Sequence, residues 1–123
     1  MKTKILTSIR KCFISFTYAK NGVRHVVVNE NNFTYHFIAT ILVLGVGYFL
    51  KLSNNEWVIL TILIGNVYVA EIFNTAIEKI VDLISPQKAH QAGLIKDIAA
   101  GGVLIASLIS AISGLILFLG KLF

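Results

Sequence analysis

The sequence predicts an all-α membrane protein in which an N-terminal amphipathic surface helix precedes three transmembrane helices. Of the 123 residues, 56% are hydrophobic and 14% are charged, and the mean hydropathy is +0.79. Soluble domains have a smaller apolar share and about 25% charged residues. Long apolar runs separated by short polar segments supply the membrane-spanning helices. Because such short helices enclose little volume, we expect a single domain over 1–123 that assembles into a homo-oligomeric bundle.

The N-terminal segment 1–29 is predicted to form an amphipathic helix on the inner leaflet. One face of this helix is apolar and contains Ile5, Ile9, Cys12, Phe13, Phe16 and Val23. Lys4, Arg10 and Lys11 lie off this face, as they do in interfacial helices. Gly22 is the point at which the helix could break. A helix packed on other protein would have the same pattern, so both interpretations stay open.

The transmembrane helices are predicted at 33–52, 57–84 and 96–119. Trp57 begins the second span, since tryptophan favours the membrane interface. Pro86 follows that span and cannot continue a helix. The third span is rich in small residues, which allow helices to approach closely in lipid.

The distribution of charge predicts a multi-pass protein of the cytoplasmic membrane. The basic residues before the first span are Lys2, Lys4, Arg10, Lys11, Lys20 and Arg24. The positive-inside rule therefore places the N-terminus and the 85–97 segment in the cytoplasm and the C-terminus outside. Nucleic acid is excluded as a partner, because no basic and aromatic surface remains once the spans are removed. The single cysteine, Cys12, forms no internal disulfide and lacks the spacing of a metal knuckle.

The functional hypothesis rests on a polar stripe at the cytoplasmic end of the second span. One sector of that helix contains Glu71, Asn74, Thr75, Glu78 and Asp82. An acid near the middle of a bilayer costs about 2.5–3.5 kcal/mol on insertion scales. The chain can therefore carry such residues only where they face protein, water or a cation, and acids so placed are usually functional. The alternatives are that Glu78 and Asp82 are the solvated end of a helix and that Glu71 bonds to a neighbouring helix.

The residue types in and around the stripe suit a hard cation bound with phosphate. Mg²⁺ takes few protein carboxylates, and substrate phosphates complete its octahedron. Glu30 adds an acid at the inner end of the first span, and Lys96 and Asp97 add a cation and a carboxylate before the third. The sequence has no glycine-rich phosphate loop with its lysine, so a nucleotide site must be of another type. Plainer roles remain open: Asn74 as a bond between helices, Lys96 and Asp97 at an interface, and Glu30 and His36 as ordinary interface residues.

Two segments together form a specific motif. They are Glu71-Ile72-Phe73-Asn74-Thr75-Ala76-Ile77-Glu78-Lys79-Ile80-Val81-Asp82 and Lys96-Asp97-Ile98-Ala99-Ala100-Gly101. A weaker match covers Phe16-Thr17-Tyr18-Ala19-Lys20-Asn21-Gly22, then Glu30-Asn31-Asn32-Phe33 and His36. Over most of its length the chain resembles the prokaryotic membrane diacylglycerol kinase and undecaprenol kinase family. It departs from that family at His90–Ile95, where members often carry His-Pro and a further lysine.

The resemblance implies a homotrimer in a bacterial inner membrane, with three spans and an amphipathic surface helix per protomer. It also implies that the γ-phosphate of ATP is transferred to a membrane lipid alcohol with Mg²⁺ as cofactor. By position, Glu71 would be the general base on the lipid hydroxyl. Glu30 and Glu78 would hold the metal that bridges the ATP phosphates.

The resemblance also implies which residues meet the nucleotide, at a site shared between protomers. Asn74 would orient substrate or phosphate, and Lys96 and Asp97 would help bind the nucleotide. Tyr18, in the N-terminal match, is assigned to the same nucleotide site. These assignments fit phosphoryl transfer, which needs positioning and charge neutralisation more than covalent chemistry.

Undecaprenol, giving undecaprenyl phosphate, is the expected acceptor, and diacylglycerol, giving phosphatidic acid, is the alternative. The segments that resemble undecaprenol kinases are Asn74-Thr75-Ala76, Ala99-Ala100-Gly101, and Asn32 with His36. Diacylglycerol-specific members tend to have Ser where Thr75 stands. A cation-conducting oligomer would also explain an acid stripe, but Trp57–Ala70 offers little polarity besides Asn66. A non-catalytic membrane adaptor is the remaining possibility.

Overall fold

The structure is a computed structural model, and it describes residues 2–86 and 89–123. Within these residues the regular elements are α-helices. They are α1 (Lys2–Asn29), α2 (Asn31–Phe49), α3 (Asn54–Ile84) and α4 (His90–Leu122). The chain divides into two compact units, the first ending at Glu30 and the second being Asn31–Phe123.

Helices α2, α3 and α4 are each long and apolar enough to cross a membrane. The mean hydropathy of their most apolar windows is 1.3, 1.6 and 2.5. The predicted all-helical class and the three candidate spans are therefore confirmed. At about 1.5 Å per residue, α3 and α4 are each longer than a hydrocarbon core of about 30 Å. Both helices consequently extend beyond the apolar slab.

The first unit is a single helix. α1 runs from Lys2 to Asn29, so the helix does not break at Gly22, the point considered from the sequence. One glycine in a helix interior costs only about 1 kcal/mol relative to alanine, which a long helix can absorb. The location of α1 on a membrane surface stays a prediction.

The turn after α2 is a Schellman motif. It ends the helix at Phe49, three residues before the predicted end at residue 52. Lys51 has a left-handed conformation with φ 53°. Its N–H donates to Tyr48 O at 3.2 Å, and Leu52 N–H donates to Gly47 O at 3.2 Å. These are the two hydrogen bonds that define the motif. Leu52 is buried, which supplies the apolar contact that accompanies such a turn.

Helix α3 begins at Asn54, three residues before the predicted start. The Glu56 carboxylate accepts hydrogen bonds from the Ser53 backbone N–H and the Ser53 hydroxyl, both at 2.7 Å. A Ser at the N-cap with Glu three residues later is a strong helix-start signal. The predicted span begins later, at Trp57, because hydropathy marks only the apolar part of the helix.

Helix α4 also starts earlier than predicted, at His90 instead of residue 96. The expected loop over 85–95 is therefore shorter, and its residues 87 and 88 lie outside the described chain. The first two turns of α4 contain several polar residues and a glycine, Gly93. These turns precede the apolar part of the helix. Backbone hydrogen bonding continues through them, although hydropathy alone marks only the apolar residues.

The α3–α4 hairpin is tied at both ends by ion pairs. Lys121 Nζ lies 2.8 Å from Glu56 Oε2, and Lys96 Nζ lies 2.6 Å from Asp82 Oδ1. The two pairs are about 39 Å apart along α3 and about 38 Å apart along α4. This spacing exceeds the hydrocarbon thickness of about 30 Å, so both pairs can sit at the two membrane interfaces.

Between these ends, polar side chains join the helices inside the apolar zone. Ser110 Oγ on α4 donates to Leu63 O on α3 at 3.0 Å. Thr40 Oγ1 on α2 lies 2.9 Å from Tyr68 Oη on α3, and the Phe33 ring packs on Tyr68 with centroids 4.9 Å apart. α3 contacts α4 extensively and α2 less so. α3 is therefore the central helix of the second unit.

We predict that Gly47→Ala destabilises the protein, because side chains of α3 and of the turn before it lie close to this glycine. A Cβ at Gly47 would lie 3.0 Å from Leu52 Cδ1, 3.1 Å from Trp57 Cη2 and 3.4 Å from Leu60 Cδ2. Overpacking of this kind costs about 1–3 kcal/mol. The measurement is unfolding of the purified protein in mixed micelles with rising SDS, followed by circular dichroism.

Gly45→Ala is the matched control, since no atom lies within 4 Å of a Cβ built there. Its added helix propensity should leave stability equal or raised by up to about 1 kcal/mol. Equal unfolding curves for the two variants would contradict the packing described for Gly47.

Candidate active site

The buried residues of α3 include three polar side chains, while large apolar side chains of the same stretch are exposed. Glu71, Asn74 and Thr75 are 2%, 5% and 3% exposed, whereas Phe73 and Ile80 are 65% and 54% exposed. This inverts the arrangement of a water-soluble helix. In lipid, apolar side chains can face the solvent, and polar side chains must find protein or ligand.

Glu71 lies within the membrane by its position between the two ion pairs. It is about 17 Å from Asp82 and about 22 Å from Glu56 along α3. A hydrocarbon slab of about 30 Å placed anywhere between these pairs therefore includes it. Glu78, about 6 Å from Asp82, lies near the boundary. The stripe thus extends along α3 from a position between the two ion pairs to the Asp82 end, and its course from lipid depth to the membrane surface stays a prediction.

The Glu71 carboxylate is incompletely satisfied. Its Oε2 is buried and has no hydrogen-bond partner among the described residues. His36 Nε2 on α2 lies 3.8 Å from this oxygen. That distance is too long for a direct hydrogen bond. A buried carboxylate oxygen without a donor is costly, and it is available to a substrate group.

Asn74 is also only half satisfied. Its Nδ2 donates to Glu78 Oε1 at 3.2 Å, one turn further along α3. Its Oδ1 is buried and has no partner among the described residues. Since the amide is planar, the bond to Glu78 fixes which way Oδ1 faces. Glu71, Asn74 and Glu78 therefore present oxygen atoms from successive turns of one helix.

Oxygen donors of this kind suit magnesium better than a soft metal. Carboxylate and amide oxygens are hard ligands, and Mg²⁺ is held by one or two carboxylates together with phosphates and water. Over residues 2–86 and 89–123, no group of three or more His, Cys, Asp or Glu side chains is arranged to hold a metal by itself. The donor set therefore suits a metal that arrives with phosphate.

At the surface end of the stripe, Asp82 pairs with Lys96. The two side chains are 65% and 35% exposed, and their charged atoms are 2.6 Å apart. Asp97 follows on α4 and is exposed. The predicted phosphate-binding lysine is thus brought beside the stripe, where a carboxylate already holds it. An exposed pair of this kind contributes about 0–1 kcal/mol to stability and can exchange partners.

Two predicted site residues belong to the first unit. Tyr18 lies on α1 and is 71% exposed. Glu30 directly follows α1, and its N–H donates to Val26 O at 3.0 Å. Their roles toward nucleotide and metal stay predictions, as do those of the α3 and α4 residues.

The contact between His36 and Glu71 is not predicted from the sequence. The sequence places His36 in the family match and leaves an ordinary interface role open for it, because a lone histidine in an apolar span carries no pairing signal. Thr40 Oγ1 donates to His36 O at 2.8 Å, and it lies 2.9 Å from Tyr68 Oη. A hydroxyl has one proton, so Tyr68 is the donor in the second bond. This chain of bonds ties the His36 turn of α2 to α3.

Comparison with known proteins identifies the family of the chain. The family described as prokaryotic diacylglycerol kinase matches residues 17–118. The undecaprenol kinase of Bacillus subtilis (strain 168) is 41% identical to this chain over 114 residues, which cover 93% of each protein. The diacylglycerol kinase of Synechocystis sp. is 34% identical over 102 residues, covering 82% of this chain and 58% of that protein.

The diacylglycerol kinase of Escherichia coli (strain K12) is 31% identical over 100 residues, covering 81% of this chain and 82% of that protein. These similarities confirm both the predicted resemblance and the predicted class of enzyme. The chain belongs to the prokaryotic diacylglycerol kinase family, a family of membrane lipid kinases.

Proposed function

We propose that this protein is a Mg²⁺- and ATP-dependent kinase that phosphorylates undecaprenol to undecaprenyl phosphate. The observation that carries the proposal is the unpartnered Glu71 Oε2 at membrane depth, aligned on α3 with the unpartnered Asn74 Oδ1. The preference for undecaprenol is supported by the 41% identity to an undecaprenol kinase, against 34% and 31% to diacylglycerol kinases. Diacylglycerol is the alternative acceptor.

Glu71 acts as the general base. Its free oxygen accepts the proton of the lipid hydroxyl while the hydroxyl oxygen attacks the γ-phosphorus of ATP. The new bond joins that oxygen to phosphorus, and the bond between the γ-phosphorus and the β–γ bridging oxygen breaks. ADP leaves, and the proton stays on Glu71 until product release. A base within the membrane-spanning helix can reach the alcohol of a lipid whose chain stays in the bilayer.

By the family resemblance, Glu30 and Glu78 would hold the magnesium ion. When bound, the ion neutralises charge on the ATP phosphates. Asn74 donates through its Nδ2 to the Glu78 carboxylate, and its Oδ1 is left to orient the substrate by accepting a hydrogen bond from a hydroxyl, or the phosphate indirectly through the metal. The adjacent Glu71 is left for proton transfer, because its oxygen lies deeper along α3 than Glu78 by about 10 Å.

Lys96, Asp97 and Tyr18 contact the nucleotide. Lys96 already lies at the surface end of the stripe, and the negative phosphates can draw its ammonium from Asp82. The protein works as a homotrimer with sites shared between protomers. It lies in the bacterial inner membrane with its N-terminus and active site in the cytoplasm, where ATP is available.

We predict that Glu71→Gln lowers lipid phosphorylation by at least about 100-fold, since loss of a general base typically costs 10²–10⁴-fold. The assay is ATP-dependent phosphorylation of undecaprenol in mixed micelles. Glutamine keeps the shape and polarity of the side chain, so the helical content and oligomer size should stay unchanged. Near-normal turnover in a folded variant would rule out Glu71 as the base.

We predict that Glu78→Gln shifts the magnesium titration of activity to higher concentration, because one anionic ligand is lost. The matched control is Glu56→Gln, at the opposite end of α3, where the carboxylate contacts Ser53 and Lys121. The control should leave the magnesium midpoint unchanged even if it lowers stability. Superimposable titrations of Glu78→Gln and the wild type would remove Glu78 from the metal site.

We predict that undecaprenol is phosphorylated with a higher kcat/KM than 1,2-dioleoylglycerol when both are presented in the same micelles. Both alcohols react with the same base, so the difference in kcat/KM should measure how well the hydrocarbon part of each lipid fits the protein. A higher kcat/KM for the diglyceride would reverse the substrate assignment and leave the kinase chemistry intact. No ATP-dependent phosphorylation of either lipid would contradict the proposed function itself.

A further inference from the structure

We propose that His36 positions the lipid substrate by holding its hydroxyl group against Glu71. This inference rests on the proposed function and names a residue to which that reaction assigns no role. Two polar atoms face each other across the α2–α3 contact. His36 Nε2 and Glu71 Oε2 are 3.8 Å apart, and the carboxylate oxygen has no hydrogen-bond partner among the described residues.

A hydroxyl oxygen can be shared by these two atoms only from one side, because 3.8 Å leaves no room for an atom on the line between them and Glu71 Oε2 is buried until the substrate enters. A direct N–H···O bond requires about 2.7–3.2 Å, so the pair is too far apart to satisfy itself. An oxygen atom placed about 2.8 Å from each would bridge them. An alcohol is both donor and acceptor, so it can donate to Glu71 Oε2 and accept from His36 Nε2–H. A cation or a purely accepting group could not make both bonds.

The carboxylate also favours the tautomer that this bridge needs. With Nε2 unprotonated, its lone pair would face the negative charge of Glu71. A proton on Nε2 converts that repulsion into attraction and makes the ring a donor toward the gap. After Glu71 has removed the alcohol proton, the same N–H faces the oxygen that attacks phosphorus.

The surroundings of His36 keep its backbone in place and give the lipid chain a path. The Tyr68–Thr40–His36 chain of hydrogen bonds ties this turn of α2 to α3. The His36 side chain is 24% exposed and lines a groove of about 360 Å³ between α2, α3 and α4. The groove continues past Val43 and Val67 and is mostly apolar. A lipid whose hydroxyl lies at His36 can therefore leave its hydrocarbon in this groove.

The test compares His36→Leu with His36→Gln in undecaprenol phosphorylation. Leucine keeps the bulk and loses the donor, so we expect kcat/KM for undecaprenol to fall about 10- to 100-fold, as loss of one hydrogen bond to a charged site implies. Glutamine can offer an N–H near the Nε2 position and should recover activity to within about 5-fold of wild type. The KM for ATP should be unchanged in both variants.

A binding measurement separates this role from a structural one. Without ATP or Mg²⁺, undecaprenol in micelles should raise the thermal unfolding midpoint of the wild type and of His36→Gln, and not that of His36→Leu. His90→Leu is the matched histidine control, because His90 is exposed at the start of α4. It should behave like the wild type in both assays.

Two outcomes would overturn the proposal: His36→Leu with unchanged kcat/KM for undecaprenol, or His36→Gln as impaired as His36→Leu. The first would leave the 3.8 Å contact as a packing feature. Failure of the wild type itself to phosphorylate lipid would instead count against the kinase assignment, so the two failures are distinguishable.

Discussion

Placing carboxylate and amide oxygens in a membrane-spanning helix costs free energy, and this cost is the main constraint on the structure. An acid at the bilayer centre costs about 2.5–3.5 kcal/mol on insertion scales, and a buried polar atom without a partner adds to that cost. α3 nevertheless buries Glu71 and Asn74 and leaves one oxygen of each without a partner among the described residues. We infer that the lipid hydroxyl and the magnesium–nucleotide complex supply the missing partners. The same atoms that destabilise the free protein then bind its substrates.

The remaining contacts hold α3 at a fixed depth and beside its neighbours. Ion pairs at Glu56–Lys121 and Asp82–Lys96 join α3 to α4 at the two ends of the hairpin. The Thr40–Tyr68 bond and the close approach at Gly47 join α3 to α2. A base that must meet a lipid hydroxyl needs such fixed depth, because an error of about 1 Å in position can cost 10²-fold in rate.

Sequence reasoning predicts the class of fold, the spans and the polar face of α3, because helical periodicity and hydropathy are local properties. The predicted helix ends are less accurate where a turn conformation or a capping hydrogen bond, not hydropathy, decides where the helix begins or ends. The left-handed Lys51 ends α2 early, and the Ser53–Glu56 cap starts α3 early. The His36–Glu71 contact joins residues far apart in the chain, so no local pattern could predict it. The assignment of Glu71 and Glu78 to base and metal ligand comes from the family resemblance, since periodicity alone gives both residues the same face.

The most direct measurement uses the four glutamates at 30, 56, 71 and 78. With ¹³C-labelled glutamate side chains, NMR in micelles can record the carboxyl signals before and after adding Mn²⁺ with a non-hydrolysable ATP analogue. Mn²⁺ takes the place of Mg²⁺ and broadens the signals of nearby nuclei. We expect the Glu30, Glu71 and Glu78 signals to broaden. Glu56, about 33 Å from Glu78 along α3, should keep its signal. Equal broadening of Glu56, or unchanged signals from Glu71 and Glu78, would contradict a magnesium–nucleotide site on the polar face of α3.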